Sequence, residues 1–404
     1  MYQTVKRRIQ RSGGGVRIAR ALVAVLAGAL LAVVMAPAAG AAAHGPRPHV
    51  VVSGLDNPRG LAFLPNGTLA VAEAGHAGAL CLGRGECGGL TGKIIAVNPR
   101  SGHARTLATG FPSIGGPFAP FGLGGLAVKG GRLYAIVGEN PQEFGSPSKD
   151  CKRHRRPGAC LATLRKIISE AGNFVEVRSL RTNHGWRSLA RVGRFDFNYA
   201  RTHRQPSAPP DGDPFGLITR PSGGFYVVDA ASNTLGSVNA GGTVSVIQFV
   251  PDPPNHKPIP DAAPTCAAQT PDGALAIGTE SGMLLRWTSG QMTPLLVGGK
   301  VQQVVGCVAD AQGNIYLANL DPSVKNFIGR PFTGSVVKVT PTLTTSYIAR
   351  GLNYPTGITL GPDGKLYVTV NGLCPTDLSL LNRHNSPPHA CPGSGQVLRI
   401  DRHG

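Results

Sequence analysis

A short apolar run, a turn carrying Gly, and a second apolar run that often ends on a polar residue recur six times along the chain. The copies begin at Gly60, Gly125, Gly216, Cys266, Gly306 and Gly357 and end at Glu73, Val137, Asp229, Thr279, Asn319 and Val370. Each reads as an antiparallel hairpin. The turns need positive φ, which Gly supplies without steric cost. Their glycines are Gly67, Gly131, Gly223, Gly273, Gly313 and Gly364. The shortest interval, 40 residues from Gly273 to Gly313, holds a four-stranded blade, and the longer ones carry inserted loops.

Most hairpins are followed by two further strands. After Glu73 these are Lys93–Val97 and Ala104–Ala108; after Asp229, Gly236–Asn239 and Thr243–Phe249. After Thr279 come Met283–Trp287 and Met292–Val297; after Asn319, Ser335–Val339 and Thr344–Ile348. The sixth hairpin has one, Gly395–Asp401. The missing strand is available at the other end, in His49–Leu55. The pattern therefore predicts an all-β chain: a six-bladed β-propeller of four-stranded antiparallel blades, its ring closed by an N-terminal strand. Closure removes the sheet edge that invites aggregation.

Residues 1–43 fall outside this pattern. Six basic residues from Lys6 to Arg20, an apolar run from Ala21 to Met35 and the small residues Ala41–Ala43 read as a secretory signal peptide. Residues 44–404 are then one propeller, exported to the cell envelope or beyond, with no stable membrane span after processing. A monomer is expected. Removing 1–43 takes six basic residues and no acid, so the net charge falls from +19 to +13. Much of it lies in 149–204, with 14 Lys or Arg against four acids, inside a basic insert at about 149–210. Such an insert is a solvated loop region or a surface for an anionic polymer or acidic lipid. No aromatic stacking pattern or nucleic-acid motif accompanies it, so nucleic acid is not an expected partner.

All eight cysteines lie in the exported part, an even number that points to disulfides. The loop pairs are Cys81–Cys87, Cys151–Cys160 and Cys374–Cys391. Cys266 and Cys307, in neighbouring first strands, pair only if those strands come within reach.

Three longer stretches, Gly54–Leu61 (GLDNPRGL), Asp213–Leu217 with Val227–Leu235, and Ala263–Cys266 leading to Thr270–Leu275, resemble the ScyD/ScyE family of exported NHL-type β-propellers. The resemblance spans roughly 49–401. It implies the propeller fold, export and an accessory place in secondary metabolism, and it brings no defined catalytic residues.

In a propeller the loops leading into the first strands and those leaving the second strands open on one face. That face would gather Arg59, Asp213 and Phe215 with Glu73, Glu139, Asp229, Asn233 and Asn319. Glu139, two residues past Val137, keeps the same side as Glu73 if the strand continues. Oxygen ligands from Glu73, Asp229 and Asn319 could hold Ca²⁺; no cofactor is otherwise indicated. Glu280 and Asn371 stand one residue out of register. The competing reading has these polar ends satisfying turn backbone. Asn183-His184-Gly185-Trp186 is a candidate cap for the channel. Two functions follow. One is a binding or scaffold propeller that takes a small molecule, an anionic polymer or a protein on its looped face. The other is a Ca²⁺-dependent lactonase-like hydrolase with a central acidic site.

Overall fold

The computed structural model describes residues 48–82, 86–115, 120–139, 151–152, 154–181, 185–203, 205, 207, 210–239, 241–254, 260–320, 331–373 and 393–402. It contains six antiparallel sheets. Blade 1 is Pro58–Phe63, Leu69–Glu73, Glu86–Val97 and Ala104–Gly115, extended by the short strands Leu80–Leu82 and Pro120–Phe121. Blade 2 is Leu123–Lys129, Arg132–Val137, Asn173–Val177 and Trp186–Arg191. Blade 3 is Pro214–Thr219, Phe225–Asp229, Thr234–Val238 and Val244–Phe249. Blade 4 is Pro264–Gln269, Leu275–Thr279, Met283–Thr288 and Gln291–Val297. Blade 5 is Val304–Ala309, Ile315–Asn319, Gly334–Val339 and Thr345–Leu352. Blade 6 is Gly357–Leu360, Leu366–Val370 and Gly395–Ile400, with His49–Leu55 as its fourth strand.

The predicted turn glycines all have left-handed backbone, from φ 73° at Gly131 and Gly364 to 105° at Gly223. His49–Leu55 pairs antiparallel with Gly395–Ile400, placing His49 opposite Arg399 and Leu55 opposite Gly395. Val51 and Leu55 of this strand pack with Leu61, Val71 and Tyr367, so one apolar seam joins blades 6 and 1. Each of the other five seams between neighbouring blades is likewise one apolar cluster. The stability of the ring lies in these seams, because a lone blade cannot cover both of its faces.

At the centre the six first strands approach backbone to backbone. A Cβ on Gly60 would lie 2.5 Å from Gly124 O, and one on Gly216 2.8 Å from Thr265 O. A Cβ on Gly357 would press on Arg59 O. In blade 4 the equivalent of these glycines is Cys266. It is bonded to Cys307 of blade 5 with the Cα atoms 5.7 Å apart, so the neighbouring first strands do come within reach. Cys151–Cys160 is formed as expected. Cys81 and Cys87 are paired in register, and Cys87 is disulfide-bonded. Cys374 and Cys391 lie outside the described residues.

The basic region differs from a loop insert. It supplies the outer two strands of blade 2, Asn173–Val177 and Trp186–Arg191, and two helices, α1 (Pro157–Glu170) and α2 (Val192–Thr202). Helix α1 starts at a Pro, which suits the first helical turn. It buries Cys160, Leu164 and Ile167 on Ile114 of blade 1. Helix α2 buries Val192, Asp196 and Ala200, spaced four apart along one face. Among the described residues no helix is long and apolar enough to cross a membrane.

Candidate functional site

Strand register places the incoming loops beside the outgoing ones. Pro58 is opposite Glu73, Pro214 opposite Asp229, Pro264 opposite Thr279 and Val304 opposite Asn319. One face of the ring therefore carries both sets of loops. Beneath it runs a central channel of about 400 Å³, walled by the first strands of all six blades.

Glu73, Asp229 and Asn319 are each tied to their own blade. Glu73 Oε2 accepts the Asp56 N–H at 2.7 Å and lies 3.4 Å from Lys93 Nζ. Asp229 Oδ1 accepts the N–H groups of Asp213, Ala231 and Ser232 at 2.9, 3.0 and 2.8 Å. Asn319 Nδ2 donates to Lys300 O at 2.9 Å. Each pins the loop that leads into its blade, as short polar side chains do at turns. Asn233, left-handed at φ 55°, does the same for the next blade, its Oδ1 accepting the Ala263 N–H at 2.8 Å. Glu73 Oε1 and Asn319 Oδ1 are buried without a hydrogen-bond partner among the described residues. Among those residues no group of three or more His, Cys, Asp or Glu side chains is arranged to hold a metal. The oxygen chemistry would suit Ca²⁺: Glu73 Oε2 and Asp229 Oδ1 are committed to backbone N–H groups, while Asp229 Oδ2, like Glu73 Oε1 and Asn319 Oδ1, is buried without a hydrogen-bond partner among the described residues.

Charge gathers elsewhere, around Arg59. Its guanidinium is buried and donates from Nη2 to Pro120 O at 3.2 Å. Burial lowers its pKa to about 10, opposed by Asp213 and Glu280. Asp213 Oδ1 accepts the Glu139 N–H at 2.7 Å. Burial pushes the Asp213 carboxyl up to about 7, with Asp229 and Glu280 adding to the rise and Arg59 opposing it. Glu280 is pushed up to about 7 by burial and by Asp261, again against Arg59. The structure thus brings together Arg59, Asp213 and Glu280. Glu73 is not among the charges acting on Arg59.

Some sequence expectations change. Glu139 does not extend its strand, which ends at Val137; its backbone turns left-handed at φ 75° and its amide goes to Asp213, so the parity argument fails. Asn371, out of register, binds Ser394 O and accepts from Asn353. Trp186 does not cap the channel. It lies on the outermost strand of blade 2, stacked on Phe111 of blade 1 at 4.5 Å, and donates to Thr109 O. Asn183 and His184 lie outside the described residues. Phe215 serves through its backbone, its carbonyl lying where a Cβ on Gly124 would fall.

Two residues escaped the sequence reading, and a third, Glu280, reads there only as a helper one residue out of register; the turn that carries it, with Glu280 N–H donating to Ala263 O, sets it where its charge acts on Arg59. Asp196 is fully buried against Asp229. Its position four residues from both Val192 and Ala200 was the available signal. His76, in the loop after Glu73, places Nδ1 3.1 Å from Asp56 Oδ2 on the looped face.

No protein-family model matches the chain, and a search of curated proteins found no match. Solved structures do match. A Bacteroides thetaiotaomicron protein of unknown function is 12% identical at TM-score 0.51, covering 88% of this chain and 72% of its own. An oxidoreductase of glucose dehydrogenase type from Thermus thermophilus is 17% identical at TM-score 0.50, covering 88% and 99%. Regucalcin, a calcium-binding protein from Agrobacterium tumefaciens, is 14% identical at TM-score 0.50, covering 88% and 93%. At such identities the likeness establishes the architecture of this chain, a six-bladed β-propeller.

Proposed function

We propose that the chain is an exported binding propeller of ScyD/ScyE type that holds a small polar molecule at the centre of its looped face, in an accessory role in secondary metabolism. One observation carries the reading: the buried Arg59 feels the charges of Asp213 and Glu280 on the looped face and directly precedes Gly60–Phe63, which wall the channel. Carboxyls near pH 7 can donate or accept hydrogen bonds toward a polar ligand. The disulfides fit an oxidising compartment.

A hydrolase of a lactone or similar ester is the second reading, favoured by the Asp56–His76 pair. Asp56 at Nδ1 leaves Nε2 of the exposed imidazole free to act as general base. The regucalcin likeness suggests calcium as its cation. Thermal shift against Ca²⁺ and EGTA, with a lactone hydrolysis assay, separates the two. The binding reading expects no EGTA effect in the wild type, a melting change on Arg59→Ala, and no turnover. A fall in melting temperature with EGTA, together with hydrolysis lost in His76→Ala, would establish the hydrolase instead.

A further inference from the structure

The propeller core accounts for none of the arginines on α1 and α2. Arg155, Arg156 and Arg165 lie in or just before α1, and Arg191, Arg194 and Arg201 in or just before α2. All six are exposed, and none pairs with an acid among the described residues. The nearby acids are already used: Glu170 by Lys166, Glu176 by Arg132 and Arg187, and Asp196 by burial against Asp229.

The two helices share one platform. Asn173, just after α1, is opposite Arg191, just before α2. The Gly193 N–H donates to Gly172 O at 2.8 Å, so α2 begins beside the end of α1. Both join blade 2 where its strands meet the looped face. Underneath, α1 is held by Leu164 and Ile167 and by Cys151–Cys160. Helix α2 is held by Val192, Asp196 and the ring of Tyr199 on Phe249. The arginines therefore project from an anchored surface.

A second observation selects the partner. Phe195, next to Arg194 on α2, is 38% exposed, one of few large apolar side chains so placed. A basic helix face with an exposed aromatic ring beside it matches a bilayer interface, where guanidinium groups meet lipid phosphates and the ring enters the acyl boundary. Arginine suits phosphate through its planar fork. A soluble polyanion would use the arginines and leave the ring without a role.

We propose that the α1–α2 platform docks this propeller onto a membrane surface rich in anionic phospholipid. The test uses residues 44–404, which contain every strand of the six sheets. Sedimentation is measured with phosphatidylcholine vesicles and with equimolar phosphatidylcholine–phosphatidylglycerol vesicles. The wild type should bind only the anionic vesicles, and less as salt rises. The double variant R194E/R201E should lose at least about tenfold in partition. Phe195→Ser should weaken binding while leaving its salt dependence in place. R178E/R181E, on the hairpin at the far end of blade 2, should bind as the wild type does. If R194E/R201E does not fold, R155E/R156E carries the same expectation. Equal binding to both vesicles, no loss in the folded charge variants, or binding to soluble polyphosphate without vesicle binding would each overturn the proposal.

Discussion

The carboxyls of Asp196 on α2 and Asp229 at the end of the second strand of blade 3 face each other with almost no exposed surface. Two adjacent buried carboxylates cannot both ionise cheaply, so their burial and proximity favour one of them keeping its proton. Burial first, and Asp229 second, push Asp196 well above the carboxylate range.

A group whose folded pKa is raised stabilises the fold below its unfolded pKa, and that stability is lost as pH rises toward the folded value. Asp196, Asp213 and Glu280 act in the same direction, the last two between their ordinary values of 3.8 and 4.5 and about 7. The wild type should melt higher at pH 5 than at pH 8. Asn in place of Asp196 keeps a donor for Asp229 and cannot ionise. Asp196→Asn should therefore flatten that pH dependence by up to about 1.4 kcal/mol per pH unit. A variant that melts lower than the wild type at pH 8 would show that the proton is not shared.

Arg59→Ala removes the buried cation whose charge acts on Asp213 and Glu280. The three are not in ion-pair contact, so the cost should stay below the roughly 3–5 kcal/mol of breaking a buried contact pair. Below about pH 7 these two carboxyls can take up protons and relieve the cost. The deficit of Arg59→Ala should thus grow from pH 6 to pH 8 in paired thermal melts. A constant deficit would assign the loss to packing alone.

The six hairpins were legible because short apolar runs on either side of a Gly turn are local signals, and every predicted turn Gly is left-handed. The outer half of blade 2 was not. Asn173–Val177 is short and wholly buried, and it sits between helices whose arginines mask the apolar spacing of Leu164 and Ile167. At the site, chain position identified the residues that reach the looped face but not the direction of their side chains. Glu73 and Glu280 lie near matching places, yet one turns to the Asp56 amide and the other toward Arg59. That choice depends on loop backbone such as Ala263, left-handed at φ 46°, which no residue-type rule would assign to alanine.

Deleting residues 44–55 should unfold the ring or lower its melting temperature sharply, whereas deleting 402–404 should not. The first removes the strand paired with Gly395–Ile400 and the buried Val51 and Leu55. Each of those side chains contributes about 1.5–3 kcal/mol of apolar burial. It also exposes a sheet edge, so concentration-dependent aggregation should accompany the loss. Equal melting of the two truncations would show that the seam between blades 6 and 1 holds without this strand.

Gly357→Ala and Gly158→Ala form a matched pair. A Cβ at Gly357 would collide with the backbone of Arg59, and the ring cannot widen there without separating a seam. At Gly158, in the first turn of α1, a Cβ meets nothing within 4 Å. Denaturant melts should show a loss of about 1–3 kcal/mol for the first, as overpacking does. The second should be neutral or slightly stabilising, since Ala favours helix.

The two described disulfides should differ in what they protect. Cys266–Cys307 spans 41 residues and joins neighbouring blades; Cys151–Cys160 spans nine within one loop. Chain entropy alone assigns about 4 kcal/mol to the longer link and about 2.5 kcal/mol to the shorter. Strain and residual structure reduce both. The link between blades should still matter more for unfolding of the ring, because it ties first strands that otherwise meet through backbone contacts and the Thr265 Oγ1 bond to Val304 O at 2.5 Å. The double variant Cys266→Ala, Cys307→Val should lower the global melting temperature. Cys151→Ala, Cys160→Ala should chiefly raise proteolysis around α1. Mass spectrometry of a non-reduced digest checks the links directly. A wild-type melting temperature in the first variant would place blades 4 and 5 under the control of their apolar seam, Leu284, Val304 and Leu317, rather than the disulfide.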